Sequence, residues 1–367
     1  MANECSDSVG KFRVAWCGRN NNLWGFCTNT EYLEAKTCFT SQSFNALVIS
    51  HKCNMSTPSV IHAQLLRLKN ATVRPLIVHI DGEVFFSKKN ALKICQQHDI
   101  IMSRALTPWS DIPNCNLIHS LQGISHSYRP SITADGYRQM LKNISESRNT
   151  QKMSIPKTKT KFACLITASV YKKMYKSGTA LVRHAACRLL DNKNVTSPQH
   201  CHRLEHVQCP GNDLQSYLCM RPYKFSVTME NNVRLGYISE KLFNGIFSDT
   251  IPIYFGAPDI GRYINLKRIV YCNITSSIVK NLQHSDIVHQ ITSIADSKKI
   301  QWATTYLEKP LSSCIHEVLR LNSNKNAYLN KLNAPLWKSH IFHNGSYEKQ
   351  QLYSSYARLN VVTGKCM

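Results

Sequence analysis

The chain has 367 residues, 43% of them hydrophobic, with 45 Lys and Arg against 22 Asp and Glu, a formal charge of +23. That composition excludes a disordered or fibrous chain, and the length suits two domains of about 150 residues each. No apolar run reaches the roughly 18 residues of a membrane-spanning helix, and the opening MANECSDSVGKFRVAW lacks the basic and apolar regions of a signal peptide, so a soluble chain with no membrane span is expected.

The first half alternates short apolar runs with polar, helix-like stretches. Residues 12–16 (FRVAW), 44–50 (FNALVIS), 74–80 (RPLIVHI) and 98–102 (HDIIM) read as strands. Continuous β-branched runs of this kind suit strands buried on both faces of a parallel sheet, with helices expected at 56–70 and 87–97. Residues 148–161 (RNTQKMSIPKTKTK) break the rhythm. With no interleaved aromatics and no flanking recognition motif, they read as a solvated basic linker and not as a nucleic-acid-binding tail. Strands then recur at 162–167, 224–230 and 251–255, with helices at 178–191, 237–248 and 276–297. The expected organisation is α/β, with an N-terminal domain over 1–150, a second domain over 151–340 and a tail over 341–367. Two Rossmann-like domains facing a cleft would bind ligands outside the carboxyl ends of their strands.

Fifteen cysteines occur without a CxxC pair or a zinc-like Cys/His spacing. Six Asn-x-Ser/Thr sequons begin at Asn54, Asn70, Asn143, Asn194, Asn273 and Asn344. Together they point to a secretory-pathway lumen, where disulfides persist; incidental sequons and buried thiols in a cytoplasmic protein are the alternative.

Residues 224–256, KFSVTMENNVRLGYISEKLFNGIFSDTIPIYFG, concentrate the chemistry. Read as strand, loop, helix and strand, with the helix starting at Tyr237, they align Tyr237, Glu240, Lys241 and Asn244 on one polar face. Ile238, Leu242, Phe243, Ile246 and Phe247 cover the rest. Gly236 lets the preceding loop approach closely. A lysine and free N–H groups at a helix N-terminus attract phosphate, and Glu240 can accept from a ribose diol. Spacing alone equally permits an ordinary amphipathic helix with a Glu-Lys pair.

The segment resembles the α-1,3-fucosyltransferases, glycosyltransferase family 10. The resemblance rests on Phe225, Glu230, Asn231, Tyr237, Ser239, Glu240, Lys241, Pro252 and Gly256, and is tight over 224–256 and loose over about 70–335. It implies a GT-B fold and a donor site for GDP-fucose built from Arg183, Glu230, Asn231, Tyr237, Glu240 and Lys241. Arg188 competes with Arg183 for the pyrophosphate position. Glu83, after the strand at 74–80, stands at the family's catalytic-base position, although Val84 and Phe85 replace the family's Ser-Pro and no tyrosine precedes Arg104. Members invert the anomeric centre, so GDP-β-L-fucose would yield an α-fucoside on a glycan or glycoprotein acceptor, here O3 of N-acetylglucosamine. GDP-fucose is a co-substrate. No cofactor or essential metal is expected, because basic groups take the metal's part, and nucleic acid is not an expected partner. The alternative function is a catalytically degenerate glycan- or GDP-sugar-binding protein. The expected location is the Golgi lumen, with the anchor absent from this chain, or else the cytoplasm.

Overall fold

The structure is a computed structural model that describes residues 12–17, 30–34, 46–50, 76–81, 87–103, 105–119, 159–165, 178–191, 204–206, 220–284 and 296–336. The chain divides into two compact units, Met1–Leu121 with His343–Met367, and Gln122–Phe342. The expected boundary near 150, the tail from 341 and the helix at 56–70 lie outside the described residues.

The first unit carries six strands, β1 (Phe12–Cys17), β2 (Thr30–Glu34), β3 (Ala46–Ser50), β4 (Leu76–Asp81), β5 (Ile100–Ser103) and β6 (Leu117–His119). They form one sheet in the order β2-β1-β3-β4-β5-β6 with every neighbouring pair parallel. Ile77, Ile100 and Ile101 are buried, as a sheet covered on both faces requires. Helix α1 (Lys88–Gln97) starts where the Ser87 side chain accepts from the Asn90 N–H, and it packs Ala91 against Ile101, Trp109 and Ile112. A Cys95–Cys115 disulfide ties that helix to the loop before β6.

The second unit holds β7 (Lys161–Leu165), α2 (Gly178–Asp191), β8 (Leu204–His206), β9 (Tyr223–Val227), α3 (Glu240–Phe247), β10 (Ile251–Tyr254), β11 (Val270–Tyr271), α4 (Ser276–His284), α5 (Asp296–Ser323) and α6 (Lys325–Leu332). Its sheet, again parallel, runs β11-β10-β9-β7-β8. Phe225, Ile253, Leu181, Val182, Leu307 and Val318 belong to one continuous core between the sheet and helices α2 and α5. Of the helix expected over 276–297, α4 covers Ser276–His284 and α5 begins at Asp296, while residues 285–295 lie outside the described residues.

The order of this sheet positions the site. From β7 the chain proceeds to β8 at one edge, whereas β9 lies on the other side of β7 and leads outward to β10. The strand order thus reverses between β7 and β9, and outside the carboxyl ends of those two strands is where a parallel sheet of this order is expected to form its ligand crevice. Helix α3 lies directly on β9: a Cβ at Gly245 would collide with the side chains of Ser226 and Thr228.

The opposite end of α3 is held by two buried cations. Lys159, at the end of the stretch expected to be solvated, is buried and donates from Nζ to the Ser248 carbonyl at 2.7 Å. Arg268 is fully buried and donates from Nη1 to the Thr250 carbonyl at 2.9 Å. Between them Asp249 takes the left-handed conformation that ends the helix, with φ at 57°. The linker expectation fails for Lys159 because carbonyls at a helix C-terminus attract positive charge strongly enough to bring a lysine inside. Burial pulls its ammonium down to about 8, against the opposing pull of Asp249.

Candidate functional site

After β9 the chain crosses the carboxyl edge of the sheet and turns at Gly236, whose φ of 71° favours glycine. The Gly236 N–H donates to Asp259 Oδ1 at 2.8 Å, which ties this loop to the segment following β10. Helix α3 then starts at Glu240, three residues later than expected. Ser239 is its cap: the backbone is extended and the side chain accepts from the Lys241 N–H. The cap displaces the helix start because a serine hydroxyl satisfies an N–H that a helix begun at Tyr237 would meet internally. Tyr237 consequently lies before the helix and is fully buried, and Asn244 is buried too, so the four residues expected on one polar face do not share one. Ile238, Leu242, Phe243 and Ile246 bury as expected.

Glu230 organises this turn. Its side chain is 0% exposed. One carboxylate oxygen accepts the Ser239 N–H at 2.8 Å and the other accepts the Ser239 hydroxyl at 2.5 Å. Its own N–H donates to the Phe255 carbonyl at 2.7 Å. A Cβ at Gly256 would collide with the Glu230 side chain and the Tyr254 hydroxyl, which explains a glycine at the end of the IPIYFG strand. Burial pushes the Glu230 carboxyl up to about 7, while Lys241 and the two Ser239 bonds pull it back. Burial and the neighbouring Glu230 also raise the Tyr254 phenol well above its ordinary value.

Two charged side chains from the expected donor set lie beside that cap. Lys241 Nζ is 3.3 Å from Ser239 Oγ and 3.1 Å from Glu240 Oε1, with its side chain 21% exposed. The ammonium thus lies over the first turn of α3 instead of extending into bulk water. From α2, Arg183 is buried and donates through Nη2 to the Met229 carbonyl at 2.9 Å, the Glu230 carbonyl at 3.4 Å and Asn231 Oδ1 at 3.1 Å. Thr179, one turn earlier, donates to the Asn231 carbonyl at 2.9 Å. Burial pulls the guanidinium below its ordinary value, and Glu230 and Tyr237 counter it. Arg183, Glu230, Asn231, Tyr237, Glu240 and Lys241 therefore gather in one place, at the crevice between β7 and β9. Glu83 and Arg104 lie outside the described residues. Thr179 and Asp259 escaped sequence reasoning: a threonine at a helix start and a lone acid after a glycine carry no signal until the turn at 229–236 is folded.

Over 132 residues, 35% of this chain, the sequence is 29% identical to an α-(1,3)-fucosyltransferase, FucT, of Helicobacter pylori. Over 74 residues, 18% of the chain, it is 36% identical to a putative fucosyltransferase, R654, of Acanthamoeba polyphaga mimivirus. The chain is related to the α-1,3-fucosyltransferases. These matches span 21% and 12% of the lengths of the two relatives. No protein-family model matches the chain. In fold it is similar to a crystal structure of an α1,3-fucosyltransferase, at 14% identity and a TM-score of 0.52 over 97% of this chain and 91% of that one. A second such structure, solved with GDP-fucose, gives 14% identity and a TM-score of 0.50 over 99% and 93%. At that identity the likeness speaks for the fold alone.

In this fucosyltransferase relative, both Glu230 oxygens are engaged inside the protein, so its carboxylate supports the site from behind. A carboxyl raised from 4.5 to about 7 binds its proton more tightly in the folded state than in the unfolded one. Its contribution to stability is present below the unfolded value and is lost as pH rises through the folded value. Wild type should lose up to about 3 kcal/mol relative to Glu230→Gln between the two values, and nothing further above pH 7. Urea unfolding of both proteins across pH 4.5 to 8 checks this; a difference that stays constant would contradict it.

Proposed function

We propose that the chain is an inverting α-1,3-fucosyltransferase of GT-B type, with two Rossmann-like domains, that moves L-fucose from GDP-β-L-fucose to O3 of an N-acetylglucosamine in a glycan or glycoprotein acceptor. The observation that carries the reading is the gathering of Arg183, Asn231, Tyr237, Glu240 and Lys241 around one helix N-terminus at the crevice of the second sheet. A helix N-terminus with a lysine beside it suits a diphosphate, and Glu240, on the first turn, suits a ribose diol. As the glycosidic bond breaks, negative charge grows on the departing GDP, and Lys241 with the N–H groups of α3 stabilises it. Arg183 holds the 229–231 turn and adds its charge to the same region. These groups supply the positive charge that a metal would, so no essential metal or cofactor enters the proposal.

Glu83 is the proposed base, taking the proton of the attacking hydroxyl while the acceptor oxygen displaces GDP in line. Val84 and Phe85, where relatives carry Ser-Pro, favour the second reading, a protein that binds GDP-sugar without turnover. Glu83→Gln separates the two. It should lower fucose transfer to N-acetyllactosamine at least about 100-fold while GDP affinity stays within about twofold of wild type. Lys241→Ala should weaken GDP binding about tenfold or more and slow transfer as well. Wild type that binds GDP but never releases it from GDP-fucose would establish the second reading.

The proposed location is the Golgi lumen, with cytoplasm as the alternative. Disulfides Cys95–Cys115 and Cys272–Cys314 support an oxidising compartment. Asn273, whose sequon Asn273-Ile274-Thr275 follows β11, is exposed, which suits a glycoprotein. Protein isolated from its own cells should show Asn273 converted to Asp by peptide N-glycosidase in peptide mapping. Unmodified Asn273 with free thiols at Cys272 and Cys314 would instead assign it to the cytoplasm.

A further inference from the structure

Glu230, Ser239 and Lys241 form a chain of three polar groups whose directions are coupled. The Ser239 hydroxyl has one proton. When Glu230 is ionised its carboxylate can only accept, so the hydroxyl donates that proton to Oε2, 2.5 Å away. The hydroxyl oxygen is thereby left with only lone pairs to offer Lys241, whose backbone N–H lies at 3.4 Å and whose ammonium lies at 3.3 Å. Protonation of Glu230 reverses this polarity. The new carboxyl O–H then donates to Ser239 Oγ, the serine proton turns toward Lys241, and the ammonium is released from Ser239 and left on Glu240 Oε1 at 3.1 Å.

From this geometry we infer that Glu230 is a positioning residue: its carboxylate, acting through the Ser239 hydroxyl, aims the Lys241 ammonium and so sets the affinity of the site for a nucleoside diphosphate. The inference rests on the proposed donor site and adds to it a proton-sensitive control. The groups that face Glu230 are Arg183 from α2, Tyr237 from the loop, Lys241 and Glu240 from α3, and Tyr254 from β10. The two cations favour the ionised form. Burial and Glu240 oppose it, which brings the carboxyl to about 7. The control therefore operates near neutrality.

The test measures GDP affinity calorimetrically from pH 5.5 to 8.5 for the full-length chain and for Glu230→Gln and Ser239→Ala. The Lys241 Cε resonance is followed alongside in ε-¹³C-lysine-labelled protein without nucleotide, assigned with Lys241→Arg. The titration of GDP itself is common to all three proteins and cancels in the comparison. Wild type should lose about tenfold in relative affinity as pH falls through 7, and its Lys241 signal should shift over the same range. Both variants should lose that component, and Glu230→Gln should bind about tenfold more weakly at pH 8 with an undiminished Tm. Ser239→Ala keeps the carboxylate but removes a hydroxyl that is both relay and helix cap, so the decisive quantity is the pH component of its GDP affinity and not the affinity at one pH. A Lys241 signal that titrates identically in wild type and Glu230→Gln would overturn the inference, as would a lowered Tm with unchanged GDP affinity. If wild type binds no GDP at any pH, the donor-site reading fails, and the Lys241 resonance still decides whether Glu230 controls the lysine.

Discussion

A single buried carboxylate determines how the second unit presents its chemistry. Glu230 closes on Ser239 through two hydrogen bonds, and Ser239 caps α3. Without that closure nothing fixes where the helix begins, and the start of the helix decides which N–H groups point outward and where Lys241 lies. The surrounding sequence serves the closure. Gly256 leaves room for the glutamate, Gly236 and Asp259 shape the loop that returns to it, and Arg183 with Thr179 pins the backbone on either side. Desolvating a carboxylate is costly, and a pair of hydrogen bonds with two nearby cations offsets only part of that cost, which leaves the carboxyl raised to about 7.

Helix α3 is electrostatically complementary at both ends. A carboxylate lies behind its N-terminus, and buried Lys159 and Arg268 bind the carbonyls around its C-terminus. Each charge sits where the helix dipole favours it. An eight-residue helix is too short to be stable by itself; anchored at both ends and seated on β9 through Gly245, it becomes a rigid platform. A rigid platform is what the proposed nucleotide site requires, since the stabilising groups must be in place before charge develops.

Much of this was readable from residues alone. Strands β3, β4, β7, β9 and β10 announce themselves as β-branched or aromatic runs, and the parallel sheets follow from runs buried on both faces. Strands β6, β8 and β11, at two or three residues, are too brief to carry a period, and β2 (TEYLE) is broken by two glutamates. Helix α5 was not read beyond residue 297; it runs through Pro310, a residue that disfavours a helix interior. The start of α3 was misplaced because Tyr237 continues the spacing of its polar face and Ile238 that of its apolar face, whereas the cap depends on a hydroxyl. The residues proposed for the donor site were singled out through their resemblance to fucosyltransferases; the contacts they make with one another were not legible. That Glu230 engages Ser239 nine positions away, and that Arg183 spends hydrogen bonds on backbone carbonyls, depends on a turn that no local pattern encodes.

The central claim is that the N-terminus of α3, seated on Glu230, receives the diphosphate of a nucleotide. Amide hydrogen exchange over residues 239–244, compared with GDP and with guanosine, tests it most directly. Protection that appears with GDP and is absent with guanosine is the predicted result. Equal exchange under both conditions, with protection elsewhere in the chain, would contradict it.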